Sequence, residues 1–264
     1  MLRNPGLASW RTYYLLLTTT RTNITRFSAM STDHPLGDRV AKMRSLVTND
    51  PKSWDILWKQ NITPWDSGEI QPPLRQVIES GKIPFSKGGR ALVPGCGRGY
   101  DAIYLASVLG YDTVGLDGSV TAVEAANELL QSGSLDSEVT SKTHFEVADF
   151  FEYGVAEDGF DLIYDYTFFV AIPPSKRPQW GSQINSLIKP GGYLITLMFP
   201  QAPPHDPQPY SSGPPFYSNF ASYEEVLRTE GNKWEIVLDE IPDDAILLDA
   251  HKGKDRIVVW KRSA

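Results

Sequence analysis

The chain has 264 residues, enough for one ordinary domain with a tail or two small ones. An apolar fraction of 41% and a charged fraction of 22% are typical of a soluble globular protein. The net charge of −7 argues against a nucleic-acid partner, which needs basic surface, and the single cysteine excludes a disulfide framework and any cysteine-based metal site.

Residues 1–32 differ from the rest. They carry Arg3, Arg11, Arg21 and Arg26, many Ser and Thr, and no acid, the composition of a mitochondrial transit segment. Two other readings stay open: a true start at Met30, or a disordered tail. The apolar run Tyr13–Leu17 is too short to span a bilayer. We expect a leader or disordered tail over 1–32 and one domain over 33–264. The protein is expected to be an intracellular, cytoplasmic monomer with no membrane association, or mitochondrial if the leader is a transit peptide.

Val40, Met43, Leu46 and Val47 recur at helical spacing and predict a short helix over 38–48. Trp54 and Trp58, four apart, share one face of a second helix, and Trp65 follows a proline in an irregular segment. These rings form either a hydrophobic flap packed on a sheet or an aromatic wall over a ligand. Leu74–Ile78 opens a further helix.

Arg90–Asp117 organises the chain. Ala91–Val93 reads as a strand buried on both faces. Gly95, Gly97 and Gly99 follow, then a helical apolar pattern to Leu109, a second strand over 113–116, and Asp117 at its carboxyl end. Ligands of open α/β sheets bind outside the carboxyl ends of strands, and an acid about 20 residues past the glycines suits the two hydroxyls of a ribose. The glycine spacing is G-x-G-x-G, with Tyr100 where a dinucleotide fold would place its last glycine. A tyrosine there crowds a pyrophosphate at the helix N-terminus. The pattern suits S-adenosylmethionine, which has a ribose and adenine but no phosphate. A nicotinamide-dependent, NAD(P)-linked oxidoreductase is the alternative from another class. Cys96, inside the turn, reads as a small residue fitted to it.

Ser119 caps a helix to about Leu130, and 131–142 reads as a polar loop. A third strand over 144–148 ends in Asp149-Phe150, an acid and an aromatic suited to an adenine amino group and ring. The fourth strand, 160–166, lies beside the first, so Asp165 and Tyr166 at its end face the site. A helix over 175–188 stops at Pro190-Gly191-Gly192, and strand five covers 193–199. The proline-rich stretch 200–219 reads as a lid or an excursion. A helix beginning near Tyr223 and strands over 234–241 and 256–260 complete the chain. His34, His144, His205 and His251 show no ligand spacing and are expected in ordinary surface or core roles.

Together these motifs resemble class I S-adenosylmethionine methyltransferases of the thiopurine methyltransferase-like group, in particular plant and fungal thiol/halide methyltransferases. The resemblance is carried by W-x3-W and TPWD within 54–66, RALVPGCG-x-G-x-D at 90–101, GLD at 115–117 and DFF at 149–151. FDLIYDY at 160–166, RP-x-W at 177–180, KPGG-x-LITLMFP at 189–200 and GPPF at 213–216 extend it. It implies a Rossmann-like, doubly wound α/β fold: a seven-stranded, mostly parallel sheet with its last strand antiparallel, preceded by a helical, aromatic flap. The implied cofactor contacts are Trp54, Trp58, Trp65, Gly95, Asp117, Asp149, Phe150 and Tyr166.

One departure stands out. Strand five of halide-active relatives usually ends LMYP, whereas residue 199 is Phe here, so a hydroxyl donor to a small anion is missing. A small thiol is therefore the expected acceptor, ahead of a soft anion such as a halide or thiocyanate. A thiol of pKa near about 8.5 is partly ionised at neutral pH, so alignment and water exclusion carry the reaction without a strong base or a metal. Tyr166 is the candidate catalytic residue, with its hydroxyl close to the transferred methyl or the acceptor.

Overall fold

A computed structural model describes residues 36–48, 50–133, 135–154, 159–201, 213–229, 231 and 233–263. The leader, Met30, His34, His205 and most of the proline-rich stretch lie outside them. Seven strands form one sheet: β1 (Arg90–Pro94), β2 (Asp112–Asp117), β3 (Thr143–Val147), β4 (Phe160–Tyr166), β5 (Ile188–Met198), β6 (Trp234–Glu240) and β7 (Arg256–Arg262). Their order is β3-β2-β1-β4-β5-β7-β6. β1 pairs parallel with β2 and β4, while β7 runs antiparallel to β5 and β6. This is the doubly wound sheet read from the sequence, with its last strand antiparallel.

The pleat separates two cores. Leu92 joins Ile163, Leu194, Met198, Val258 and Trp260 on one face, whereas Ala91 and Val93 join Leu162, Tyr164, Ile195, Leu197 and Val259 on the other. Successive residues of a strand point to opposite faces, so both faces need apolar cover. Helices α3 (Pro72–Glu79) and α4 (Tyr100–Leu109) cover the second face through Leu74, Val77, Leu105 and Leu109. The first is covered by α8 (Arg177–Leu187) and α9 (Phe220–Leu227), through Trp180, Ile184, Tyr223 and Leu227. Before the sheet come α1 (Leu36–Leu46) and α2 (Ser53–Lys59); α5 (Val120–Leu130), α6 (Ser137–Ser141) and α7 (Phe168–Ala171) lie between strands.

Two local expectations change. The polar stretch 131–142 contains α6, because the Asp136 side chain accepts the Glu138 N–H at 2.9 Å and caps a short helix. Pro190-Gly191-Gly192 does not stop α8. That helix already ends at Leu187, and the chain is extended from Ile188; the register slips between the Phe160–Ile188 and Leu162–Tyr193 pairs, with Gly191 at φ +81°. Glycine supplies the positive φ of this bulge rather than a helix cap.

Candidate active site

The sheet order reverses between β1 and β4, and the carboxyl ends of β1 to β5 open there onto a cavity of about 640 Å³. Gly95 lies just past β1 and Asp117 ends β2. Asp149 and Phe150 follow β3, Tyr166 ends β4, and Phe199 follows β5; all six line the cavity. Trp54, Trp58 and Trp65 line it from the N-terminal segment. All eight cofactor contacts implied by the resemblance thus border one space.

The glycine turn and Asp117 form one unit. Asp117 Oδ2 accepts the Gly97 N–H at 3.0 Å and Oδ1 the Ser119 N–H at 2.9 Å. These donors fix the carboxylate between the tips of β1 and β2, with lone pairs left for the cavity. Burial pushes its pKa up to about 6, against the lowering pull of the Ser119 and Gly97 N–H groups. Gly95, Gly97 and Gly99 all have positive φ. A Cβ on Gly95 would lie 2.7 Å from the Phe168 ring, and one on Gly99 would lie 2.2 Å from Phe145. Close packing of the tips therefore requires these two glycines, whatever binds above them. Burial pushes the Cys96 thiol well above its ordinary value, in keeping with a packing role.

Asp149 caps a 3₁₀ turn over Phe150–Glu152, its Oδ1 accepting the Phe151 N–H at 2.9 Å. Phe150 is buried, with its ring centroid 5.0 Å from that of Phe168 and 5.5 Å from that of Phe151. The three rings make the floor of this end of the cavity apolar.

The indoles form a connected wall. Trp65 meets Trp54 edge to face at 5.3 Å and Trp58 at 6.2 Å. Helix α2, which carries Trp54 and Trp58, is pinned beside Asp117. Asp55 Oδ1 accepts the Ser119 hydroxyl at 2.8 Å and the Thr121 N–H at 2.9 Å, and its other oxygen pairs with Lys59 at 2.6 Å. Burial opposes its charge, but Lys59 and these donors together hold the carboxyl well below the ordinary carboxylate range.

At the β4 tip the expectation divides. Tyr166 lines the cavity, but Asp165 does not reach it. Its side chain is buried on the opposite face, accepting the Trp180 indole N–H at 2.9 Å and the Phe169 N–H at 3.2 Å. Burial pushes its pKa up to about 7. Asp165 thus joins β4 to α8 and to the start of α7. Thr167 follows at φ +62°, a strained conformation for a β-branched residue, and turns the chain along the cavity wall.

His251, expected in an ordinary surface or core role, sits where nothing in the sequence signalled a partner in the cavity. It is buried at the cavity wall, with Nε2 3.1 Å from the Tyr166 hydroxyl and Nδ1 2.9 Å from Asp255 Oδ2. Phe199 stacks on its ring at 3.8 Å. The His251–Asp255 spacing was visible in the chain; its partner Tyr166 lies 85 positions away. His144 is exposed and paired with Asp112 at 3.0 Å.

The protein is similar to known methyltransferases along most of its length. It is 39% identical over 223 residues to "Probable thiol methyltransferase 2" of Arabidopsis thaliana, covering 84% of this chain and 89% of that one. It is 38% identical over 215 residues to "Thiocyanate methyltransferase 1" of the same plant, covering 81% and 86%. In fold it resembles the crystal structure of a SAM-dependent methyltransferase from Methanosarcina mazei: TM-score 0.54 at 19% identity, covering 70% of this chain and 96% of that one. Residues 49–262 match the family model described as thiopurine S-methyltransferase (TPMT). The chain therefore belongs to the thiopurine S-methyltransferase family.

Proposed function

We propose that this protein transfers a methyl group from S-adenosylmethionine to a small thiol, in the cavity at the strand tips. The observation that carries the reading is the convergence there of two carboxylates on neighbouring tips, a glycine turn and three connected indoles. Membership of the family, and likeness to relatives named for thiol and thiocyanate methylation, support the same chemistry and set the nicotinamide reading aside.

The residues present fit the cofactor. Asp117, oriented by two N–H donors, keeps acceptor capacity for ribose hydroxyls. Asp149 is poised to accept from an adenine amino group, with Phe150 beside the ring, and Gly95 allows close approach of the backbone. Trp54, Trp58 and Trp65 present aromatic surface toward a sulfonium, an attraction of about 0.5–2 kcal/mol for a cation over a ring. Tyr166 closes the cofactor side and faces the acceptor. Bound there, S-adenosylmethionine supplies an electrophilic methyl group. The chain aligns the acceptor sulfur and keeps water out of an apolar pocket, where near-attack geometry lowers the barrier by several kcal/mol, at most about 7–11.

A soft anion is the second reading, favoured by the relative named for thiocyanate. Phe199 opposes it, because the wall stacked on His251 carries no hydroxyl at that position. A panel of aliphatic thiols, aryl thiols, iodide and thiocyanate with label in the donor methyl tests the reading. We expect labelled thioethers as the main products. Label only in methyl thiocyanate or methyl iodide would transfer the assignment to the anion, and no labelled product would remove both.

A further inference from the structure

Methyl transfer as derived so far leaves a line of buried polar groups without a task. Asp255, 3% exposed, places both oxygens 2.9–3.0 Å from Nδ1 of His251, itself 5% exposed, and Nε2 meets the Tyr166 hydroxyl at 3.1 Å. Stacking of Phe199 at 3.8 Å and an interplanar angle of 13° holds the imidazole in place. Tyr166, His251 and Phe199 all border the cavity. An ionised carboxylate only accepts hydrogen bonds, so Nδ1 carries the proton and Nε2 is the acceptor for the Tyr166 O–H. The phenol oxygen keeps its lone pairs for a donor in the cavity.

We infer that Tyr166, His251 and Asp255 form a proton relay that takes the S–H proton from a thiol acceptor, an inference resting on the thiol-methylation reading above. The S–H bond breaks and its electron pair stays on sulfur. The proton passes to the Tyr166 oxygen while the phenol proton passes to His251 Nε2. The products are a thiolate and an imidazolium paired with Asp255. The proton returns to solvent by the same line after the thioether leaves. Tyr166 meets the substrate, and His251 and Asp255 are positioning residues behind it. Burial, then the charges of Asp101, Asp255 and Asp66, push the phenol well above its ordinary pKa, so Tyr166 hands a proton on rather than resting as an anion. The charged groups facing the line are Asp101 from α4, Asp66 from the indole segment, and Asp244 and Lys254 around Asp255.

The test compares an alkyl thiol of pKa near about 8.5 with an aryl thiol already ionised at pH 7. A relay matters only where a proton must leave. In His251→Gln, kcat/KM for the alkyl thiol is expected to fall about 100-fold, the scale of general-base catalysis, with the aryl thiol little changed. Equal losses for both thiols would mark a structural role and overturn the relay. Should His251→Gln fail to fold, Asp255→Asn, behind the cavity lining, carries the same comparison, with S-adenosylhomocysteine affinity measured separately to isolate any cofactor effect. Independently of activity, the ¹⁵N-histidine spectrum of the wild-type protein is expected to show His251 protonated on Nδ1 and bare on Nε2. A proton on Nε2 would overturn the proposal. A wild type that methylates neither thiol overturns the parent reading and the relay with it, a different outcome from an active enzyme with equal losses.

Discussion

Asp117 is where single-residue chemistry is most exposed to measurement. Its carboxyl pKa is pushed up to about 6 by burial against the pull of two N–H donors, so its charge changes within a range where binding can be titrated. The ionised form is the better acceptor for ribose hydroxyls, and protonation removes acceptor capacity. The affinity for S-adenosylhomocysteine is therefore expected to rise from pH 5 to about 7 and then level off, read by calorimetric titration across that range. A flat profile would separate the carboxylate from the ligand. Legibility at this scale followed strand alternation. Asp165 and Tyr166 are adjacent at the β4 end, and one side chain must point to each face of the sheet. Tyr166 shares a face with Tyr164, and Asp165 points to the face covered by Trp180. The period-2 rule, applied to the strand end, would have separated them.

Among the elements, those fixed by local chemistry were read closely. The glycine turn, the Ser119 cap and the fourth strand at 160–166 all depend on residues next to one another in the chain. The bulge at Gly191 was not legible, because Pro-Gly-Gly serves equally as a helix stop and as a kink, and only pairing with β4 decides between them. The attachment of α2 was also invisible. Asp55 reaches Ser119 and Thr121, 64 and 66 positions on, and so joins the indole-bearing helix to the start of α5. Removing this carboxylate leaves a hydroxyl and an N–H without their acceptor. Asp55→Ala is expected to cost about 1.5–3 kcal/mol, the range for hydrogen bonds to a charged group, measured by urea denaturation at pH 7. It should also weaken S-adenosylhomocysteine binding, because Trp54 and Trp58 lose their anchor. Unchanged stability and affinity would mean that the apolar contacts of α2 suffice.

For the whole molecule, the sheet order explains why residues so far apart in sequence meet. Reversal between β1 and β4 opens the crevice, and successive tips supply Gly95, Asp117, Asp149 and Tyr166 in turn. β7 pairs antiparallel with β5, so the segment entering β7 passes the β5 tip; this carries His251 and Asp255 against Phe199 and Tyr166. Sequence motifs point to the crevice because each belongs to one tip, whereas the Tyr166–His251 contact depends on the antiparallel strand and has no local signature. The central claim is that an adenosyl group lies across these tips, held through its ribose by Asp117. Calorimetric titration of S-adenosylhomocysteine into the wild type and Asp117→Ala tests it most directly. A saturable site is expected in the wild type and a loss of about 100-fold in the variant, the weight of about 3 kcal/mol of charge-assisted hydrogen bonding. Equal affinity in the two proteins would contradict it.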